Sequence, residues 1–275
     1  MEQDNIMKYY NSAELWDRPP LQNQLNIGDL VISKIPTDVK SILDVGSGNG
    51  VITNRLIDLF DRVCAVDISE EALKYVQAEK RIGSIDQLPF EDNEFDLILI
   101  TDVLEHLPDP IFQQGIQELK RVAKKYVLIV TPFQEKLEFV QMKCKKCSCQ
   151  FHVNLHIRSI SKDTIESSFS NEFRIEELTL AGEEWPHFPE YASYFKSMFD
   201  YSNDWELAVC PQCGSRQDHE DRSENIKSTN PAFFDRIVDS IHLVMDDFRK
   251  QELMYNEALF LLSRDRYSEV KDSSF

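Results

Sequence analysis

The sequence predicts an α/β fold, a mostly parallel sheet with helices on both faces. Two observations lead there. Between residues 35 and 131, short apolar runs alternate with amphipathic segments, as strands joined by crossover helices do. The first of those runs ends in a glycine turn, ILDVGSGNG at 42–50, which opens a helix pattern.

Taken in order, residues 1–34 read as an N-terminal helical cap containing Tyr9, Tyr10 and Trp16. Residues 35–143 are the sheet core. Its four strand candidates are SILDVGSG, RVCAVDIS, FDLILITDV and YVLIVTPF, each rich in Val, Ile or Leu and ending in polar or small residues. Helices are predicted between them near 50–59, 70–78 and 111–124. Residues 144–216 begin with a cysteine-rich stretch and a helix from about Ser161. RIEELTL and DWELAVC then read as two last strands, with an aromatic insertion at 185–205 between them. Residues 217–275 form a tail. Within it Phe234, Ile237, Ile241, Val244 and Phe248 recur at helical steps, predicting a long helix from Pro231 to about Leu262. That stripe suits packing on the domain and a homodimer contact equally.

The chain has 275 residues, enough for one sizeable core plus an appendage. Its net charge of −18 argues against nucleic acid as partner, because phosphate neutralisation supplies most of that affinity. The basic knot KRVAKK at 120–125 is short and lies on a helix pattern. No apolar run approaches the roughly 18–20 residues of a membrane span, and the polar N-terminus MEQDNIMKYYNS is no secretory signal. A cytoplasmic location is therefore expected, where six cysteines are metal ligands or thiols rather than disulfides.

Two cysteine pairs have knuckle spacing, Cys144-x-x-Cys147 and Cys210-x-x-Cys213. Four thiolates at two turns would close a tetrahedral zinc shell with no open position, hence a structural site. A rival shell would use Cys144, Cys147, Cys149 and His152.

The turn spacing Asp-x-Gly-x-Gly-x-Gly, with Asp67 ending the next strand, is where a ribose would be held. Across residues 35–135 the chain resembles class I S-adenosylmethionine-dependent methyltransferases, particularly those with LPF and LEHLPDP segments. The resemblance implies a Rossmann-like, seven-stranded, mostly parallel sheet with S-adenosyl-L-methionine as cofactor. It places Gly46 and Gly48 beside the methionine and ribose parts, Asp44 at the start of the motif, Asp67 on the ribose and Ile68 on adenine. Ser84, with its neighbour Ile85, stands where the group commonly has an acid for the adenine amino group. Thr101 would offer a backbone carbonyl to the cofactor's amino group.

The implied reaction is methyl transfer, most simply to a hydroxyl of a small or carrier-linked acceptor such as a sugar. N-methylation, a tRNA or protein acceptor, and a non-catalytic zinc-stabilised scaffold are the alternatives. Beyond the fourth strand, DVLEHLPDP supplies Asp102, Glu105, His106 and Asp109, and His106 is the candidate base. Some relatives that methylate vicinal hydroxyls bind a divalent metal through Glu-x-x-Glu-His. Here the first acid is shortened, giving Asp102-x-x-Glu105-His106, and His152 and His156 stand downstream for the distant histidine those relatives add. FHVNLHIRSIS, following the first knuckle, is similar to a segment of bacterial glycoconjugate-pathway methyltransferases, which implies that the knuckle holds a lid while His152, His156 and Arg158 face the acceptor pocket.

Overall fold

The structure is a computed structural model that describes residues 2–185, 208–216 and 254–265. The chain divides into two compact units. One comprises residues 6–135, 156–183 and 256–275, and the other residues 1–5, 136–155 and 184–255.

The first unit contains most of the sheet. Ser41–Val45 (β1), Arg62–Asp67 (β2), Glu79–Ile82 (β3), Phe95–Thr101 (β4) and Ala123–Pro132 (β5) run parallel, in the order β3-β2-β1-β4-β5. The sheet is completed by Met254–Arg264 (β9), antiparallel to β5, and by Phe173–Trp185 (β8) at the edge, giving seven strands. Strand order reverses between β1 and β4, so a crevice opens beyond their carboxyl ends.

Both faces are covered, which is why β1, β2 and β4 read as continuous apolar runs. Leu97 and Leu99 of β4 face one layer with Ile27 and Val31 of α3 (Gln22–Lys34) and Leu56 of α4 (Thr53–Leu56). Ile98 and Ile100 face the other. There they meet Phe112, Ile116 and Leu119 of α6 (Asp109–Val122) and Ile165 and Phe169 of α7 (Lys162–Phe169). The remaining helices are α1 (Glu2–Tyr10), α2 (Ala13–Trp16) and α5 (Glu70–Leu73). Two side chains of α6 clasp the LPF segment. Glu118 accepts from the Leu88 N–H at 2.8 Å, and Arg121 donates to the carbonyls of Phe90 at 2.7 Å and Leu88 at 3.1 Å.

In the second unit, Gln141–Lys143 (β6) and Gln150–His152 (β7) pair antiparallel around the first cysteine turn. The second turn is closed by a bridge between Val209 and Arg216.

Three expectations need correction. Residues 254–262, expected at the end of a long C-terminal helix, belong to a sheet strand: YNEALFLLS alternates against β5, and Ala258, Phe260 and Leu262 enter the core. The rest of that stretch, with any homodimer contact it makes, lies outside the described residues, as does the insertion at 186–205. DWELAVC is not the last strand either, for its described end, Ala208–Cys210, leads into the second cysteine turn. Strand β3 was not anticipated, because EKRI is exposed at the sheet edge and carries no apolar run.

Candidate active site at the carboxyl ends of the strands

The glycine turn follows β1, where the strand order switches. Gly46 and Gly48 have φ of +73° and +52°, in the region that favours glycine. Space demands it as well, since a Cβ would lie 2.3 Å from Val103 at Gly46 and 2.9 Å from the Trp16 ring at Gly48. Asp67, ending β2, accepts from the backbone N–H groups of Gly48 and Ser69, both at 2.8 Å. Burial pushes its pKa up against those hydrogen bonds. Asp44 is buried and accepts from Thr53 Oγ1 at 2.5 Å, so it orients the first turn of α4. Burial lifts its pKa to about 7 against the Thr53 bond, with the Asp67 charge adding to the rise.

The corner retains unspent polar capacity. Ser47 Oγ in the turn and Thr101 Oγ1 at the end of β4 are buried without a hydrogen-bond partner. Ile68, beside Asp67, is an exposed apolar side chain. Together these fit a bound nucleoside, with a carboxylate for ribose hydroxyls, an apolar surface for a base and open hydroxyls for a polar chain. Ser84 hydrogen-bonds Asp86. Ile85 packs into the core, where it limits the space beside Gly115.

Beyond β4 and β5 lies a group of carboxylates and imidazoles. Leu104–His106 forms a 3₁₀ turn that buries Glu105 completely. Thr131 donates to Glu105 Oε2 at 3.2 Å, while Oε1 has no hydrogen-bond partner and lies 3.8 Å from His106 Nε2. The rings of His106 and His156 are 4.8 Å apart at 76°. His156 Nδ1 lies 2.6 Å from Glu135 Oε2, so it donates to that carboxylate. One ligand atom from each of Glu105, His106 and His156 falls within 4.8 Å of the others. Burial, with the charges of Asp102 and Glu135, holds the Glu105 pKa well above the usual range. Asp102 is solvent-exposed, yet the protein around it, with the charges of Glu257 and Glu135, pushes its pKa up to about 8.

Residues 43–131 match the family model described as a methyltransferase domain. Among solved structures, a putative methyltransferase from Bacillus halodurans superposes with TM-score 0.52 at 19% identity, covering 87% of this chain and 98% of that one. A SAM-dependent methyltransferase from Archaeoglobus fulgidus gives 0.52 at 13% identity, covering 88% and 94%. The core has a methyltransferase fold. An uncharacterized methyltransferase of Schizosaccharomyces pombe is 39% identical over 101 residues, 30% of this chain and 36% of that protein. The ubiquinone biosynthesis O-methyltransferase of Xylella fastidiosa is 29% identical over 133 residues, 39% of this chain and 54% of that protein. The chain thus spans about a third to a half of the length of these two curated relatives.

Two of the sequence candidates, His106 and His156, lie side by side in this fold. His152 belongs to the second unit, where it is buried on β7 and paired with Gln141, its Nδ1 accepting from the Asn154 N–H at 3.3 Å. Arg158 holds the turn by donating to the Leu107 carbonyl at 3.0 Å and to Asp109 at 2.5 Å, its guanidinium over Phe112. Sequence reasoning missed Glu135 and Glu257. They lie far apart in the chain and in no motif: the pairing of β5 with β9 sets Glu257 opposite Pro132, and Glu135 follows the end of β5.

In the second unit the sulfurs of Cys144, Cys147, Cys210 and Cys213 all lie within 4.8 Å of one another. Cys144 is 3.6 Å from Cys213 and Cys147 is 3.5 Å from Cys210. Tetrahedral thiolates at about 2.3 Å from zinc stand slightly farther apart than that, so a small expansion would seat the ion. The two turns repeat one hydrogen-bond scheme, Ser148 N–H to the Cys144 carbonyl and Gly214 N–H to the Cys210 carbonyl. Cys149 stands outside the quartet with its thiol toward the Gln150 carbonyl, and Cys64 is core. The paired knuckles are the set that converges.

Proposed function

We propose that this protein transfers the methyl group of S-adenosyl-L-methionine to a hydroxyl of a small or carrier-linked acceptor, a sugar hydroxyl being the leading case. The observation that carries the reading is the left-handed glycine turn packed beside the Asp67 carboxylate at the switch point, one strand away from a buried histidine–carboxylate group. When bound, the cofactor supplies an electrophilic methyl on a sulfonium. In the chain, Asp67 would hold the ribose, Ile68 would pack on the base, and Ser47 and Thr101 would meet the amino-acid part. Gly46 and Gly48 would let the backbone approach the cofactor, and Ser84 would stand at the adenine amino group. His106 would take the acceptor proton as the oxygen–carbon bond forms and the carbon–sulfur bond breaks, with His156 beside it braced by Glu135. The likeness to an O-methyltransferase of ubiquinone biosynthesis supports oxygen as the nucleophile.

A second reading of the chemistry is favoured by the unpartnered Oε1 of Glu105. A divalent cation between Glu105, His106 and His156 would satisfy that oxygen and lower the hydroxyl pKa itself. The four cysteines of the knuckles are proposed to hold structural zinc.

Native mass spectrometry with and without S-adenosylmethionine tests the assignment. The expected spectrum shows one cofactor per chain and one zinc, the zinc absent in Cys213→Ser. A chain that binds zinc but no cofactor would be the scaffold alternative. Retention on an RNA column at moderate salt would instead make nucleic acid the acceptor, against the charge of −18. Methyl transfer into amines alone would replace oxygen by nitrogen.

A further inference from the structure

We infer that Tyr10 is the positioning residue for His106, and that it makes the alignment of the imidazole depend on an N-terminal strap seated on the cofactor corner. The inference rests on the methyltransferase reading above for what His106 does, but not for the contacts themselves. The phenol oxygen of Tyr10 lies 3.3 Å from His106 Nδ1, and the two rings meet edge-on at 83° with centroids 6.2 Å apart. With the Nδ1 proton donated to the phenol oxygen, the lone pair that takes the acceptor's proton lies on Nε2, the nitrogen that faces Glu105 Oε1.

Tyr10 is itself held by the cofactor corner. Its carbonyl accepts the Ser69 hydroxyl and the Trp16 indole N–H, both at 2.6 Å. Ser69 is the residue whose N–H binds Asp67, and its hydroxyl caps α5. The Trp16 ring lies against Gly48, and the Trp16 carbonyl accepts from Asn49 of the glycine turn at 3.0 Å. One short segment, Tyr10–Trp16, therefore touches the ribose carboxylate's partner, the glycine turn and the candidate base. Whatever moves the glycine turn or Ser69 moves the Tyr10 carbonyl, and with it the hydroxyl that orients His106.

The test needs no acceptor. With ¹⁵N-labelled histidine, and the His106 signals assigned through His106→Gln, long-range proton–nitrogen spectra report the imidazole tautomer. The wild type is expected to hold His106 in one tautomer. Tyr10→Phe, which keeps the ring packing, should average the two nitrogens while the S-adenosylmethionine Kd stays within about threefold. Trp16→Ala, which releases the strap, should give the same averaging together with an affinity loss of about tenfold. Unchanged His106 signals in Tyr10→Phe would overturn the inference. So would loss of cofactor binding in Tyr10→Phe, which would make Tyr10 a cofactor residue instead. If the wild type binds no S-adenosylmethionine, the methyltransferase reading falls, while the tautomer comparison still decides the role of Tyr10.

Discussion

Asp67 and Asp44 are neighbouring carboxylates with different work. Asp67 faces the cofactor corner through two backbone N–H groups, so Asp67→Asn should weaken S-adenosylmethionine about 10- to 100-fold in calorimetric titration, as the loss of charge-assisted hydrogen bonds requires. Asp44 is sealed in and acts on the fold. Its native pKa of about 7 lies above the ordinary 3.8, so the unfolded chain ionises first as pH rises. Its contribution to stability is therefore complete below about pH 4 and is lost as pH rises towards 7, a swing of roughly 4 kcal/mol for a shift of that size. Asp44→Asn should flatten the fall in urea midpoint across that window. An equally steep fall in the variant would show that Asp44 is not its source. Asp44 and Asp67 stand out in the sequence because one lies next to last in β1, just before the glycine turn, and the other ends β2. Glu135 was not, because nothing local marks a carboxylate that will brace a histidine 21 residues on.

At the scale of elements, the LPF segment serves packing. Leu88 and Phe90 are buried, Phe90 meets Phe95 edge-on at 5.1 Å, and α6 grips the backbone through Glu118 and Arg121. Arg121→Ala removes two hydrogen bonds to carbonyls and leaves Glu118 without its cation. It should cost about 2 kcal/mol in urea denaturation and leave cofactor affinity unchanged, because nothing at the glycine turn is touched. The helices and strands of the core were readable from period and turn chemistry, β3 excepted. β9 was misread because the helical period read from residue 231 was carried on across it, and period alone does not report that residues 254–264 take the place between β5 and β8.

At the scale of the whole molecule, each of the two units has its own source of stability. The sheet unit has an apolar core on both faces, whereas the second unit combines a three-residue hairpin with four converging sulfurs. On the structural-zinc proposal, a chelator should accordingly lower and broaden one calorimetric transition while a second, stabilised by S-adenosylmethionine, persists. A single transition indifferent to chelation would sink the structural-zinc proposal. Among the described residues no helix is long and apolar enough to cross a membrane.

The sequence by itself determined the α/β core, the glycine turn with Asp67, and the four cysteines that pair across two knuckles. Each of these is written in local spacing, which strand period, turn sterics and ligand geometry make readable. Only the tertiary structure decided that residues 254–264 close the sheet, that His106 meets His156 while Glu105 keeps an unpartnered oxygen, and that Tyr10 links the cofactor turn to the imidazole. Those pairings join residues up to 137 positions apart in the sheet and 96 in the site, and no short-range pattern encodes a contact that forms only once the strands have been ordered.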